Sequence, residues 1–214
     1  MRLLKKYGAE TVVYEKDDFI FEEGMWPEYF YYIVSGEVKL NIYDEDDSRE
    51  FIFSFYSRGH NFGEGTIFLE TTYICNAIAV EQTEVLKLDK ASFLILIKEN
   101  HDFSLLINYN LSKKLYFQGV MAPKISAQDA DLRVLTLLNY LKTNWQHPLI
   151  QQDLYIVDLT RQEIADMTGL RVETVIRSIK RLREDNKLRI IKGRECNTNC
   201  VSLHFLAFGL KPKS

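Results

Sequence analysis

The stretch LTRQEIADMTGLRVETVIRSIKRLRED, residues Leu159–Asp185, decides the fold of the C-terminal part of the chain. Thr160 and Glu163 have the spacing of a capping box, in which the threonine hydroxyl accepts a backbone N–H and the glutamate side chain reaches back. A helix is therefore predicted to begin at Arg161. Gly169 predicts its end, because glycine readily adopts the left-handed conformation found at helix C-termini.

A second helix is predicted directly after this turn. Its inward side carries apolar residues every three to four positions: Leu170, Val172, Val175, Ile179 and Leu182. The other side carries Glu173, Thr174, Arg177, Lys180 and Arg181, with Arg171 and Arg183 at its margins. This density of cations suits phosphate and guanine edges. The two helices predict a helix-turn-helix with Val172–Arg183 as its recognition helix, although proteins that never meet DNA also contain basic amphipathic helix pairs.

The sequence motif of this region closely resembles the helix-turn-helix of the CRP/FNR transcription regulators: T-R-Q-E-I-A followed by G-L-x-x-E-T-V-x-R. The resemblance implies that Glu173 and Arg177 contact bases in a DNA half-site. Two positions depart from the family: Val172 replaces a base-reading arginine, and Ile176 replaces the serine of the oxygen-sensing branch. The half-site therefore need not be that of the cyclic-AMP regulator. Three further side chains are predicted to hold backbone phosphate: Arg161, Gln162 and Lys180. Thr174, on the same surface, is also predicted to bind DNA.

Composition and charge fit a globular protein of two parts. The 214 residues are 46% hydrophobic and 13% aromatic, which is ample for packed cores. There is no apolar run of about 18 residues and no signal-peptide core, and three cysteines suit a reducing compartment, so we expect a cytoplasmic location without a membrane partner. Residues 1–129 hold 13 Lys/Arg against 21 Asp/Glu, whereas residues 130–214 hold 14 against 9. An acidic front and a basic back suit a DNA-binding module attached to another domain, although ordinary surfaces also differ this much.

The front of the chain reads as strands separated by turns. β-branched and aromatic residues are concentrated in Thr11–Tyr14, Phe19–Phe21, Tyr29–Val34, Val38–Tyr43, Phe51–Phe55, Ile74–Val80 and Val85–Leu88. These strands predict a barrel or sandwich, with turns at 35–37 and 44–48. Three segments resemble the cyclic-nucleotide-binding jelly roll of the same family: FxEG at 21–24, YFYYIVSGEVKL at 29–40 and NFGEG at 61–65.

Two helices are predicted after the strands, Lys90–Glu99 and about Asp102–Val120. The longer one carries a stripe that can pack on the barrel or on a symmetry mate: Phe103, Leu106, Ile107, Leu111, Leu115 and Gln118. The family resemblance favours the second alternative, a homodimer. Pro123 lacks a backbone donor, so the helix is predicted to kink or stop near Ala122.

The last part of the chain is predicted to be a winged domain. A linker over 122–129 precedes a helix at Ala130–Asn144, and a strand at Leu154–Val157 precedes the helix-turn-helix. Leu188–Ile191 and Cys200–Leu203 read as a hairpin after it. Lys192 and Arg194 at its tip suit either phosphate binding or surface solvation. The predicted class is α+β: a β jelly-roll sensor domain at 1–100, a dimerisation helix and hinge at 101–128, and a winged helix-turn-helix domain at 129–214.

The effector of the front domain is not evident from the sequence. In the family, a Gly-Glu pair, an arginine and a serine hold cyclic AMP. Gly63 and Glu64 match the pair, but the arginine and serine positions fall on Ile74 and Cys75. A buried phosphate without a cation costs several kcal/mol, so we predict that cyclic AMP is not the effector. A small apolar or acidic effector and a pocket filled by the chain itself both remain open.

Other cofactors have weaker support in the sequence. No cysteine precedes Cys75, which excludes the iron–sulfur cluster of the oxygen-sensing branch. Cys196 and Cys200 make half a metal site at most, with His204 as a further ligand, and we interpret them as incidental. A haem would need an axial ligand such as His60 or His101.

The sequence therefore predicts a dimeric transcription regulator that binds palindromic double-stranded DNA and acts with RNA polymerase. Activator is the assigned role, and the sequence does not distinguish it from repressor. Its effector is unidentified. The alternatives are a cupin-type enzyme, which the missing H-x-H pair opposes, a haem-dependent gas or redox sensor on the same barrel, and an interaction domain without DNA binding.

Overall fold

The computed structural model describes residues 1–44, 49–126, 129–144, 154–190 and 200–206. The chain divides into two compact units, Met1–Tyr116 and Phe117–Ser214. The first unit is rich in strands and the second is mainly helical with a small sheet, which confirms the predicted α+β class. The finer domain limits at 100 and 128 stay predictions. No helix among the described residues is long and apolar enough to cross a membrane.

Within the described residues, the strands of the first unit form two antiparallel four-stranded sheets. The strands are β1 Glu10–Tyr14, β2 Phe19–Phe21, β3 Tyr29–Ser35, β4 Glu37–Tyr43, β5 Glu50–Ser57, β6 Asn61–Phe62, β7 Asn76–Ala79 and β8 Thr83–Asp89. The sheet orders are β1-β8-β3-β6 and β2-β7-β4-β5. Apart from the hairpin of β4 and β5, neighbours in each sheet are not consecutive in the sequence, as in a jelly roll, so the predicted barrel or sandwich is confirmed.

The turn between β3 and β4 shows why glycine is needed at position 36. Gly36 has φ +85°, and a Cβ there would lie 2.4 Å from Thr83 Oγ1 and 2.6 Å from the Gln82 carbonyl oxygen. Thr83 Oγ1 also accepts the Glu37 backbone N–H at 3.1 Å. The predicted tight turn at 35–37 is confirmed, and it joins two strands of different sheets.

The predicted strand Ile74–Val80 is wrong at its start, because β7 begins only at Asn76. The preceding backbone is bonded elsewhere: Tyr73 N donates to the Met25 carbonyl at 2.9 Å, and Gly24 N donates to the Tyr73 carbonyl at 2.8 Å. These bonds tie the chain to the loop after β2 instead of to a strand ladder. Two further elements were not predicted from the sequence: the two-residue strand β6 and a short N-terminal helix, α1 Arg2–Lys6.

Aromatic side chains fill the space between the two sheets. Phe21 stacks on Tyr73 with ring centroids 3.6 Å apart, and Tyr31 stacks on Phe62 at 5.2 Å. Aliphatic residues of the same cluster complete the core: Ile20, Ile33, Val38, Ala77 and Val85. Burial of these large side chains is the main force that holds the two sheets together.

Two helices follow the sheets, α3 Lys90–Glu99 and α4 His101–Ser126, with the short α2 Glu64–Leu69 between β6 and β7. The Asn100 side chain accepts the Phe103 backbone N–H at 2.8 Å and so satisfies one free donor at the start of α4. Of the predicted kink or stop near Ala122, the stop is wrong, because α4 contains Pro123 and continues to Ser126. Phe117 and Met121 are buried just before the proline, so packing favours the helical conformation there.

The second unit consists of α5 Ala130–Asn144, β9 Leu154–Thr160, α6 Arg161–Thr168, α7 Val172–Glu184, β10 Arg189–Ile190 and β11 Cys200–Leu206. Its strands pair in the order β10-β11-β9, so the predicted hairpin after the helix-turn-helix is present. The helices share a buried core: Val134, Leu137, Leu138, Leu141, Ile164, Val175, Ile179 and Leu182. Lys192, Arg194 and Cys196 lie outside the described residues.

The predicted linker over 122–129 is wrong at its start, because 122–126 are helical. Helix α4 includes the first residues of this range, up to Ser126, and Asp129 immediately precedes α5. The Asp129 carboxylate accepts the backbone N–H groups of Asp131 and Leu132 at 2.9 and 3.2 Å. An aspartate in this position satisfies free amide donors of the first turn, and α5 is therefore capped at its N-terminus.

Candidate DNA interface and effector pocket

The start of the helix-turn-helix is fixed by local hydrogen bonds. Thr160 Oγ1 accepts the Glu163 backbone N–H at 3.1 Å, and Glu163 Oε2 accepts the Thr160 N–H at 2.6 Å. Gly169 ends α6 in the left-handed conformation, with φ +64°. The Leu170 N–H then bonds to the Ala165 carbonyl at 3.1 Å. Both the predicted capping box and the predicted glycine cap are confirmed.

Helix α7 separates an inward face from an outer face. Val175, Ile179 and Leu182 are buried, as predicted, and the helix ends one residue later than expected, at Glu184. We define the outer face of α7 as Glu173, Thr174, Arg177 and Lys180. On this face Arg177 Nη2 donates to Thr174 Oγ1 at 3.2 Å, so the two side chains are held together. Glu173, Arg177 and Lys180 are exposed, and Thr174 is partly buried.

Two of the predicted phosphate-binding residues are at the start of α6. Gln162 is exposed, but its Nε2 donates to Asp166 Oδ1 at 2.7 Å. Arg161 is partly buried, and its Nε has no hydrogen-bond partner among the described residues. Lys180 makes one loose contact, 3.9 Å from Glu184, between two exposed side chains. Their role in DNA binding stays a prediction.

An ion pair between α5 and α7 was not predicted from the sequence. Arg181 donates from Nε and Nη2 to the two oxygens of Asp131, at 2.7 and 2.6 Å. The hydrogen bond from Arg181 holds the pKa of Asp131 below its usual value. Fifty residues separate the two partners, so no local pattern could have joined them.

The candidate effector pocket contains a cation that the sequence analysis did not place there. Glu64 is 1% exposed, and its Oε1 lies 2.5 Å from Lys114 Nζ of α4. Lys114 also donates to the Asn61 carbonyl at 2.9 Å and lies 4.9 Å from the centre of the Tyr56 ring. Asn110, one turn before Lys114, donates to Asn61 Oδ1 at 2.6 Å. These contacts connect α4 to β6 and α2.

The other predicted pocket residues do not form a polar site. Gly63 has φ +81°, and a Cβ there would lie 3.3 Å from the Phe21 ring. Ile74 is 65% exposed, whereas Cys75 is buried in the aromatic cluster with Phe21 and Tyr73. Burial raises the pKa of the Cys75 thiol to about 12. The Cys75 side chain is therefore neutral and lies among apolar residues, whereas the Ile74 side chain faces solvent; their part in effector binding stays a prediction.

The side chains of the two candidate haem ligands, His60 and His101, take no part in the hydrogen bonds of Glu64, Lys114 and Asn61 described above. His60 Nδ1 is 3.0 Å from the Ser57 carbonyl, and burial lowers the pKa of the His60 ring. His101 is exposed at the start of α4. Among the described residues, no group of three or more His, Cys, Asp or Glu side chains could hold a metal ion.

The predicted dimer stripe divides between two environments. Ile107 is buried, and Phe103 and Leu111 pack against the same core cluster of the first unit. Leu106, Leu115 and Gln118 are exposed. The exposed side of α4 carries further large residues that the stripe did not include: Leu105 at 53%, Tyr109 at 62% and Tyr116 at 72% exposure. These three residues are spaced by four and seven positions, which places them on one side of a helix and could have predicted this surface from the sequence.

Two parts of the chain match known protein families. Residues 11–100 match the cyclic nucleotide-binding domain, and residues 133–198 match the Crp-like helix-turn-helix domain. Among curated proteins, a cAMP-activated global transcriptional regulator CRP of Pasteurella multocida is 30% identical over 183 residues, covering 85% of this chain and 86% of that protein. Its namesake in Salmonella typhimurium is 28% identical over 175 residues, or 81% and 82% of the two chains.

Solved structures share the fold along nearly the whole chain. A CooA mutant from Carboxydothermus hydrogenoformans superposes with a TM-score of 0.74 at 21% identity, covering 95% of this chain and 86% of that one. The c-di-GMP-responsive global regulator CLP of Xanthomonas campestris gives 0.69 at 23% identity, covering 94% and 96%. At these identities the likeness concerns the fold alone.

Proposed function

We propose that this chain, which belongs to the CRP/FNR family of DNA-binding transcription regulators, binds a two-fold symmetric DNA site as a homodimer and does not respond to cyclic AMP. The observation that carries the proposal is the outer face of α7, where Glu173 and Arg177 stand one turn apart above a buried inner face. A carboxylate can accept from cytosine N4, and a guanidinium can donate to guanine O6 and N7. RNA polymerase would be the partner through which a bound regulator acts on transcription.

A direct test is a mobility-shift titration of the full chain. The expected result is binding to a palindromic duplex with half-sites about 34 Å apart, one turn of the duplex, and much weaker binding to a single half-site. One recognition helix reads too few base pairs to be selective, so two related by a dyad are needed. Equal affinity for the single half-site would contradict the symmetric mode of binding.

We propose that the exposed side of α4 supplies the dimer contact. Leu105, Tyr109 and Tyr116 are large side chains that a monomer would leave in water, and Leu106 and Leu115 flank them. Burying them against a second copy would gain roughly 25 cal/mol per Å² of apolar surface. The three inward residues of the predicted stripe, Phe103, Ile107 and Leu111, would remain in the core of their own chain.

The dimer predicts a specific result for one variant. Tyr109→Glu should shift the sedimentation coefficient from dimer towards monomer at micromolar concentration, because it places a charge in the buried contact. Tyr43→Glu is the matched control, since Tyr43 is a 49% exposed tyrosine of β4 outside this surface. A wild-type monomer on palindromic DNA would refute the dimer, and an unchanged Tyr109→Glu dimer would refute this surface.

Phosphate binding predicts a change in salt dependence. Lys180→Ala should make the slope of log affinity against log salt concentration shallower by about one unit, because one fewer counterion is released. All DNA sequences should be weakened alike. Lys98→Ala, an exposed lysine of α3, is the control and should leave the slope unchanged. An unchanged slope for Lys180→Ala would show that Lys180 is not part of the interface. Arg161→Ala is expected to make the slope shallower by the same amount, and an unchanged slope would exclude Arg161 likewise.

The absence of a cyclic-AMP response rests on the charges in the pocket. Lys114 is committed to Glu64 and to the Asn61 carbonyl, so it is already neutralised by a carboxylate. Ile74 and Cys75 offer no cation in the place where the family holds the phosphate. Titration calorimetry with cyclic AMP should therefore show no heat of binding, and DNA affinity should be the same with and without it. Micromolar binding would contradict the proposal and would point to Lys114 as the phosphate ligand.

A further inference from the structure

We infer that Asp131 withholds the charge of Arg181 from DNA and so limits binding to non-specific sequences. The inference rests on the proposed function, because it concerns the same helix α7. Arg181 was predicted from the sequence to belong to the cation-rich side of that helix. In the structure both of its donors on one edge, Nε and Nη2, are bonded to a single carboxylate, at 2.7 and 2.6 Å.

The geometry of this pair differs from that of the neighbouring cations. A bidentate, charge-assisted pair is among the stronger polar contacts of proteins, and its two parallel bonds fix the orientation of the guanidinium. Among the described residues, Lys180 has a single ionic contact, 3.9 Å from Glu184, and both side chains are more than 60% exposed. Such an exposed pair contributes little, so Lys180 remains available to phosphate. Arg177 is bonded to the uncharged hydroxyl of Thr174 and keeps its full charge.

The position of Asp131 explains why this pair can persist. Asp131 lies in the first turn of α5, two positions after Asp129, which caps this helix, and its side chain is only 27% exposed. Helix α5 packs against α7, so the carboxylate is held by the fold and needs little further ordering to meet Arg181. The pair has no net charge. It therefore releases no counterion from DNA as long as it stays closed, and general attraction to phosphate is reduced by one cation.

The test is a salt titration of DNA binding by fluorescence anisotropy, with the full chain and two duplexes, a selected site and a scrambled sequence. Asp131→Asn should raise affinity for the scrambled duplex about five- to tenfold at low salt and make its salt slope steeper by about one unit, because Arg181 is released. The ratio of specific to non-specific affinity should fall. Asp129→Asn is the matched control: it removes the same charge from the same turn, keeps a capping side chain and leaves the pair intact.

A second variant makes the inference independent of how well Asp131→Asn folds. Arg181→Gln should leave the slope close to the wild-type value, because the charge of Arg181 is withheld already. A slope that becomes shallower by about one unit would show that Arg181 binds phosphate directly and would overturn the inference. So would an Asp131→Asn protein whose slope equals that of Asp129→Asn. Failure of the wild-type chain to bind either duplex would instead refute the proposed function itself.

Discussion

Lys114→Met is expected to lower the free energy of unfolding by about 3–5 kcal/mol, the largest stability effect that we predict for a single substitution. The lysine is the only ion-pair partner of Glu64 among the described residues, and Glu64 is 1% exposed. Removing the cation leaves a carboxylate unpaired where water cannot reach it. A shift of the first unfolding transition in urea, followed by circular dichroism, measures the effect.

The controls separate the charge from the rest of the lysine. Lys113→Met, at the preceding position of α4, removes a partly buried cation that lies 5.6 Å from the centre of the Tyr109 ring and has no ion pair among the described residues, and it should change stability by less than about 1 kcal/mol. The double variant Glu64→Gln, Lys114→Met should recover most of the loss, since a neutral amide is much cheaper to bury than a lone charge. Equal losses in the single and double variants would mean that packing of the Lys114 stem, and not its charge, stabilises the pocket.

Features that depend on neighbouring residues were predictable from the sequence. The capping box of Thr160 and Glu163 and the left-handed Gly169 are settled within a few positions, and the structure has both. The two faces of α7 were predictable because the helix has thirteen residues, long enough for the helical spacing of apolar residues to recur several times. For the same reason the recognition helix could be assigned to within one residue at its end.

Features that join distant segments could not be predicted in this way. The Lys114–Glu64 and Arg181–Asp131 pairs each connect residues fifty positions apart. The sequence has no Arg or Lys between 59 and 80, around the Gly-Glu pair, and α4 supplies the cation from outside that range. The extension of α4 through Pro123 is a similar case, because tertiary packing of this helix outweighs a local penalty of about 3 kcal/mol.

The stripe on α4 shows a limit of periodicity itself. A helix that is apolar on two sides gives more than one set of residues at three- and four-residue spacing, and the sequence does not say which set faces the core. Ile107 and Phe103 face it, whereas Leu105 and Tyr109 do not. Only the strands and helices packed around α4 decide between the two, and these are distant in the sequence.

Arg177→Ala is expected to cost roughly 1–3 kcal/mol of specific DNA binding, about ten- to a hundredfold in affinity, and to relax the preference at one base pair of each half-site. The guanidinium is exposed on the outer face of α7, and its bond to Thr174 restrains it next to Glu173. A restrained guanidinium loses less conformational freedom when it forms two bonds to guanine O6 and N7. Binding-site selection from a random library, followed by anisotropy on the selected duplex, measures both effects.

The matched control is Arg183→Ala, which removes the same charge from the last turn of the same helix. It should weaken specific and scrambled duplexes to the same small extent, because an arginine that meets only phosphate carries no sequence information. Thr174→Val tests the restraint: it deletes the hydroxyl that Arg177 bonds and should reduce discrimination at the same base pair as Arg177→Ala, but by less. If Arg177→Ala retains the wild-type base preferences while losing affinity on every sequence, Arg177 is a phosphate ligand and base reading must be assigned elsewhere on α7.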